Sequence, residues 1–265
     1  MSVYGRNTGE DYATTIQEAK DCLGNNRVFG PDEWLKYFPQ GISFSDAQLA
    51  RIAEVPWPKP VLMEPSTLSE GKLKEHFLFL GVDQIGTEAM HQNLNLQTWI
   101  GLCHEGILPG LDRLASRVCR GSNGPKFNDP RSLRDWYLKD WQAPRSIGTP
   151  RVHYTNLTCE FRWYFMPVDV LGSSVGACNV HRPCEYESAK AIEAVTANVL
   201  YYLLNHEYMG MVKQVARSND YSVLHYGQSV CVWSGQEGLE VGTLPAGSYP
   251  GAVLWRCNDE SLKSL

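Results

Sequence analysis

Cysteine and histidine residues form the most suggestive chemical group in this sequence, between positions 178 and 184. Cys178, His181 and Cys184 follow one another at intervals of three residues, and thiolate and imidazole are the ligands that zinc prefers in structural sites. Such a site needs four ligands, and no second Cys/His cluster with metal-site spacing stands out in the sequence to supply the fourth. We therefore predict loop thiols beside an exposed imidazole, with no metal and no cofactor; a zinc site is the alternative.

A second pair, Cys103 and His104, places a thiol next to an imidazole in the sequence. Neighbouring residues of a helix point about 100° apart, so adjacency alone does not make a nucleophile and its base. The alternative function left open is an enzyme that gathers these two residues with Cys178, His181 and Cys184 at one cleft. Familiar signatures such as G-x-G-x-x-G, Walker A, G-x-S-x-G and H-E-x-x-H are absent from the sequence.

Two further polar groups have structural interpretations. His76 precedes an apolar run, where a single histidine is more typical of a hydrogen-bonded strand end than of a ligand or base. Glu160 and Arg162 are two residues apart in an alternating segment. We interpret them as a cross-strand or solvated pair, with binding of a charged ligand as the alternative.

Composition bounds the class of protein. The 265 residues are 43% hydrophobic and 20% charged, with a net charge of −5 and no basic run, which argues against a nucleic-acid partner. No apolar stretch approaches the ~20 residues that span a bilayer, and the first residues, MSVYGRNTGEDY, lack the apolar run of a signal peptide. We expect a soluble cytoplasmic protein whose eight cysteines are free thiols.

The N-terminal region reads as three short helices within residues 10–54. Gly24 is predicted to end the first, Pro31 to open the second, and Ser45 with Gln48 to form a capping box for the third. A proline-rich connector at 56–60 closes this part. We predict two units, a helical part at 1–60 and an α+β main domain at 61–265.

The main domain is predicted to combine strands with one long helix. Residues 76–83 form an apolar, central strand, and 157–167 alternate so that Phe161, Trp163 and Phe165 are buried. Residues 187–209 form the longest helix, beside a twisted antiparallel sheet. Helices are also predicted within 94–119 and at 130–141. The predicted fold class is α+β, with a β-rich C-terminal segment at 217–257.

Glycine residues separate the candidate strands of that C-terminal segment, which are 229–233, 239–241 and 252–255. Residues 217–228 are rich in Asn, Asp, Tyr, Ser and His, a composition typical of recognition loops; a plain polar loop is the alternative. We predict that side chains in or beside Gly-bounded turns contact a ligand. These are Asn219, Asp220, Tyr221, His225, Tyr226, Trp233 and Tyr249.

Two stretches carry a resemblance to known proteins. Residues 159–168 (CEFRWYFMPV) and 194–204 (AVTANVLYYLL) resemble parts of an uncharacterised bacterial protein family. The tail resembles the β-rich end of C-type-lectin-like folds of the formylglycine-generating-enzyme type, which variable proteins of diversity-generating retroelements also use. The residues that carry this second resemblance are Gly227, Val230, Val232, Gly238, Leu239, Val241, Gly251 and Arg256.

This resemblance implies ligand or protein binding on a C-type-lectin-like scaffold, and no catalysis. The catalytic cysteine pair of formylglycine-generating enzymes has no match in this chain, and the Gly-Gly-Ser-Trp and Gly-Phe-Arg signatures are missing. We therefore expect a non-enzymatic recognition protein with a protein or small-molecule ligand.

Overall fold

The protein has an α+β fold, as predicted, with helices packed against parallel and antiparallel strand pairs. A computed structural model describes the parts of the chain from which this architecture is built. They are residues 14–39, 41–59, 62, 76–87, 90–96, 98–99, 102, 156–169, 186–210, 216–221, 229–235, 238–243, 252–253 and 255–257.

Three short helices form in the N-terminal region: α1 (Ile16–Leu23), α2 (Pro31–Tyr37) and α3 (Asp46–Ile52). The predicted local signals are confirmed. Gly24 follows α1 with φ 97°, a backbone conformation that favours glycine, and Pro31 opens α2. The Ser45 hydroxyl accepts a hydrogen bond from the Gln48 backbone N–H, so the capping box is present.

Short strands connect this region to the rest of the fold. Strands β1 (Thr14–Thr15) and β3 (Glu54–Val55) pair with each other, while β2 (Val28–Phe29) pairs in parallel with β4 (His76–Gly81). One cluster of buried residues runs from Ala19 to Cys257. Residues on both sides of position 60 therefore share a core.

The central sheet has the order β2-β4-β7, with β7 at Arg162–Pro167 antiparallel to β4. All six residues of β4 are buried, which confirms the predicted central strand. Phe77 of β4 contacts Tyr201 of the long helix at 5.3 Å between ring centroids. Phe165 of β7 contacts Trp57 at 5.3 Å. Side chains thus cover both faces of this sheet.

Strand β7 is shorter than predicted, because residues 157–161 precede it without strand pairing. Trp163 and Phe165 are buried as predicted, whereas Phe161 is only partly buried. Tyr164 and Met166, on the opposite face, are buried as well. The alternation of the sequence therefore does not mark a solvent-facing side here, since both faces lie inside the core.

The long helix α4 spans Ala191–Asn205, and the prediction of helix from 187 to 209 was too long at both ends. Residues Tyr186–Ser188 form strand β8 instead. At the other end, His206 adopts a left-handed conformation and its N–H caps the Tyr202 carbonyl. Twelve of the fifteen helical residues are buried, because α4 packs against β4 and also against the C-terminal sheet.

The C-terminal sheet consists of β9 (Ala216–Tyr221), β10 (Ser229–Gly235), β11 (Gly238–Thr243) and β12 (Ala252–Val253), in the order β11-β10-β9-β12. The predicted strands near 229, 239 and 252 are confirmed. The expected purely antiparallel sheet is wrong in one respect, since β12 pairs with β9 in parallel. Strand β13 (Trp255–Cys257) leaves this sheet and pairs with β8.

One further strand pair and the start of a helical region follow the central strand β4 in the chain. Strands β5 (Gln84–Thr87) and β6 (Met90–Asn93) form an antiparallel pair. In the predicted helical region 94–119, residues 96, 98–99 and 102 are helical and the other residues from 103 onward lie outside the described residues, as does the predicted helix at 130–141. Within the part of the chain that the structure describes, none of the helices has the length and apolar character needed to cross a bilayer.

Candidate functional site

Four of the seven predicted contact residues lie on two neighbouring strands. Asn219, Asp220 and Tyr221 belong to β9, and Trp233 belongs to β10, which is hydrogen-bonded to β9. The prediction that Asn219, Asp220 and Tyr221 occupy a loop is wrong, whereas Trp233 lies in the predicted strand at 229–233. The polar composition of 217–221 does not indicate a strand, since Asn and Asp have a low strand preference. The strand forms because β9 pairs with both β10 and β12.

The other three predicted contact residues, His225, Tyr226 and Tyr249, lie outside the described residues. So do all five members of the alternative catalytic group. These are Cys103, His104, Cys178, His181 and Cys184. In the described ranges, no group of three or more His, Cys, Asp or Glu residues could hold a metal ion.

The ladder between β9 and β10 contains a bulge at the predicted contact residues. Arg217 pairs with Cys231 and Tyr221 pairs with Ser229. Three residues of β9, numbers 218–220, therefore stand opposite the single residue Val230 of β10. A bulge leaves residues unpaired and redirects the chain locally, and such bulges are common at sheet edges and next to functional sites.

The sheet has one face that belongs to the core. Val232 pairs with Val241, Leu239 lies two residues before Val241, and all three are buried. Successive residues of a strand point to opposite faces. Trp233 and its partner Glu240 occupy the alternate positions of the same two strands, so they lie on the face opposite to this buried set.

A second polar group, which we call the Tyr164 cluster, lies where β7, β8, β13 and the start of α4 meet. Its members are Cys159, Glu160, Arg162, Tyr164, Glu187, Lys190, Glu193, Thr196 and Arg256.

Two arginines flank the Tyr164 ring in this cluster. The Arg162 Cζ lies 4.7 Å from the ring centroid and the Arg256 Cζ lies 5.7 Å from it. The Phe79 ring stacks on Tyr164 at 5.1 Å between centroids. The Tyr164 hydroxyl accepts a hydrogen bond from the Glu160 N–H at 3.0 Å. Burial raises the pKa of Tyr164 well above its usual range, so the phenol stays neutral.

Glycine at position 81 is required by this packing. A Cβ at Gly81 would lie 2.8 Å from the Glu160 carbonyl oxygen and would also collide with the Tyr164 ring. Real Cβ atoms do not approach a backbone oxygen that closely. Nothing in the sequence around Gly81 indicates this contact, because it joins residues about eighty positions apart.

Ion pairs bind the cluster together. The Arg256 Nη2 lies 2.9 Å from Glu187 Oε1, and its Nε lies 3.4 Å from Glu193 Oε2 without a hydrogen bond between those two atoms. Arg162 Nε lies 3.3 Å from Glu160 Oε2, so the predicted Glu160–Arg162 pair is confirmed. The cluster contains three acidic and three basic side chains, and this balance favours a structural role over binding of a charged ligand.

Cys159 is the buried thiol of the cluster. Its Sγ donates to the Thr196 hydroxyl at 3.6 Å, and Thr196 also accepts a hydrogen bond from the Trp99 indole at 3.0 Å. Burial raises the pKa of Cys159 to about 12, with the nearby Glu193 carboxylate acting in the same direction. A thiolate is the reactive form of cysteine, so Cys159 is unsuited to nucleophilic chemistry at neutral pH.

His76 behaves as the sequence predicted. It is buried at the start of β4, its Nε2 lies 3.0 Å from the Tyr186 hydroxyl, and its ring stacks on Phe165 at 4.7 Å between centroids. These contacts tie β4 to β7 and β8. The histidine therefore serves packing between strands.

No family model, no curated protein and no solved structure matches this chain. The resemblance of the tail to C-type-lectin-like folds stays a prediction. The function must consequently be inferred from the residues and their arrangement.

Proposed function

We propose that this chain is a non-enzymatic recognition protein that binds a protein or small-molecule ligand with its C-terminal sheet. The observation that carries the proposal is the bulge in β9, where residues 218–220 stand opposite Val230 alone. Two predicted contact residues, Asn219 and Asp220, lie in that bulge. Tyr221 ends it, and Trp233 lies on the neighbouring strand.

The buried face of the sheet supports this proposal. Val232, Leu239 and Val241 tie β10 and β11 to the core, so a surface built on these strands would have a rigid base. Rigid scaffolds with variable attachments are a common solution to recognition. Tyrosine and tryptophan lose few rotamers on binding and bury a large area, which suits them to such a surface.

In this proposal, the N-terminal helices serve assembly or attachment, and the tail adopts a C-type-lectin-like arrangement of the kind used by retroelement variable proteins. The net charge of −5 favours a ligand other than nucleic acid. The protein would act in the cytoplasm, and no cofactor would be needed.

Alanine substitution of the tyrosines tests the binding surface. We expect Tyr221→Ala and Tyr226→Ala to leave the melting temperature nearly unchanged and to abolish capture of the partner from host-cell lysate in a pull-down. Leu35→Ala, at a position 43% exposed on α2, is the matched surface control and should retain capture. Retained capture in both tyrosine variants, or a melted fold, would overturn the assignment.

Sequencing the same locus in sibling strains tests the resemblance to retroelement variable proteins. Scattered substitutions confined to residues 217–256 would support a diversified surface. Substitutions spread evenly over the chain would contradict that part of the proposal, without affecting a fixed binding surface.

A further inference from the structure

The two edges of the C-terminal sheet differ in length. In the order β11-β10-β9-β12, the edge strand β12 has only two residues, and the chain then forms β13 in another sheet. The opposite edge strand, β11, has six residues, and all six pair with β10 in one continuous register. Among the strands that the structure describes, β11 has a partner on one side only. Within these sheets, a long and regular edge therefore stays unpaired.

The sequence of β11 has few of the features that keep sheet edges apart. Natural proteins protect such edges with lysine, proline, bulges or very short strands. The segment Gly238–Thr243 contains neither lysine nor proline, and Glu240 is its only charged residue. Leu239 and Val241 are buried on the core face. The position of Glu240 is therefore the main constraint on which strand β11 can accept.

A second copy of β11 satisfies this constraint at one register. Two identical strands related by a two-fold axis perpendicular to the sheet run antiparallel, and residues of the same face stand opposite each other. With Val241 on the axis, five residues of each strand are paired, and Glu240 stands opposite Gly242 of the second copy. An axis at Glu240 would instead oppose two identical carboxylates, which is destabilising. An axis at Leu239 avoids that contact but pairs only three residues of each strand.

The long helix leaves room for this arrangement. Helix α4 packs against β9 and β10, so the two copies of β11 would lie between the two α4 helices. Three strand spacings would separate β10 from its counterpart, a distance of about 14 Å. Packed helices need only about 8–10 Å between their axes. The two copies of α4 would therefore not collide.

We propose that the protein forms a two-fold dimer in which β11 pairs with β11 of a second copy, joining both C-terminal sheets into one sheet. Val241 lies on the two-fold axis, and Glu240 of each copy stands opposite Gly242 of the other. Backbone pairing along an open sheet edge supplies the contact, as it does when a peptide adds a strand to a sheet. The dimer does not depend on the recognition function proposed above, because its contact uses the backbone edge of β11 and not the residues of β9.

Analytical ultracentrifugation of the full-length chain over a wide concentration range tests the dimer. We expect a species with twice the chain mass of 29.8 kDa. Gly242→Glu sets a carboxylate opposite Glu240 at both ends of the contact, and the dimer should dissociate on the order of fivefold more readily. Gly242→Lys places an ammonium group there and should dimerise at least as tightly as the wild type. Both variants replace the same glycine, so each is the matched control for the other.

Oxidative crosslinking tests the register. Residues directly opposite each other in an antiparallel pair have Cα atoms about 4.5–5.5 Å apart, within the range that a disulfide spans. Val241→Cys should therefore give a covalent dimer that reductant separates. Thr243→Cys lies two positions from the axis, so its two copies are about 14 Å apart and should not crosslink. The wild-type chain is the control for the eight native cysteines.

Three results would overturn this dimer. A chain that keeps the mass of one copy at every concentration does not pair at all. A dimer of equal strength in Gly242→Glu and Gly242→Lys forms through another surface. A covalent dimer of Thr243→Cys without one of Val241→Cys has a different register. Because Val241 is buried, its cysteine variant could fail to fold, and the comparison of the two variants at position 242 then decides alone.

Discussion

The central sheet and the C-terminal sheet differ in the roles that we propose for their two faces. Every residue of β4 is buried, and β7 has buried side chains on both faces. In β10 and β11, Val232, Leu239 and Val241 belong to the core and lie on one face. Substitution in β4 must therefore disturb packing at any position, whereas the proposed binding surface uses the alternate positions of the C-terminal sheet, such as Trp233.

The strongest way to break this comparison is to truncate one aromatic residue in each sheet. Phe165→Ala removes a fully buried ring that contacts Trp57 and His76, and large core truncations cost about 3–5 kcal/mol. Trp233→Ala should cost less than about 1 kcal/mol if Trp233 belongs to a binding surface. Denaturant unfolding of both variants gives the two losses directly.

Equal losses in the two variants would place Trp233 in the core and would remove it from the proposed surface. In that case the C-terminal sheet would be buried on both faces, like the central one. Any loss of partner capture in a folded Trp233→Phe variant would then reflect disturbed core packing and not a lost contact with the partner.

A smaller difference in stability is expected between two buried tryptophans of the central sheet, one with and one without an indole hydrogen bond. The Trp34 Nε1 donates to the Leu80 carbonyl of β4 at 2.9 Å, whereas the buried Trp57 Nε1 beside β7 has no hydrogen-bond partner. Both residues are fully buried, so replacement by phenylalanine removes similar volume. We expect Trp34→Phe to destabilise the protein by about 1–2 kcal/mol more than Trp57→Phe, because only the former loses a buried hydrogen bond.

Chemical denaturation of the two variants measures this difference. The Trp163→Phe variant, whose indole donates to the Ile52 carbonyl at 3.1 Å, serves as a second hydrogen-bonded case and should resemble Trp34→Phe. If all three variants lose the same free energy, packing alone determines how these indoles stabilise the sheet.

Local signals in the sequence predicted the four helices and the strands β4, β7, β10 and β11 near their observed positions. Capping residues such as Ser45 and Gln48 and the apolar run at 76–81 act through neighbours in the chain, so a single sequence contains the information. Residues 187–188 and 217–221 were assigned wrongly because their strands form through pairing with other segments of the chain. Strand preference depends strongly on such tertiary partners.

The candidate site was predictable only in part, for the same reason. The composition of 217–228 indicated a polar and aromatic segment, but the bulge against Val230 depends on register, which no local pattern specifies. The Tyr164 cluster was missed except for Glu160 and Arg162. Its other charged members come from β8, α4 and β13, and only folding brings them together.

The smallest expected effect concerns the thiol that borders the central sheet. The pKa of Cys159 is raised from 9.0 to about 12 in the folded protein, so the fold favours the neutral thiol. The resulting stability is fully present below pH 9 and is lost as the pH rises from 9 toward 12, because the unfolded chain releases the proton first.

Comparison of Cys159→Ala with the wild type at pH 8 and pH 10 isolates this effect. The variant loses packing and the contact with Thr196 equally at both pH values. Because it has no thiol at position 159, it also lacks the part of the stability that depends on pH. The stability advantage of the wild type should therefore shrink by about 1 kcal/mol between pH 8 and pH 10, since each pH unit above the unfolded pKa costs about 1.4 kcal/mol. A constant advantage across this range would mean that Cys159 ionises as easily in the folded chain as in the unfolded one, and that the core does not close over this flank of β7.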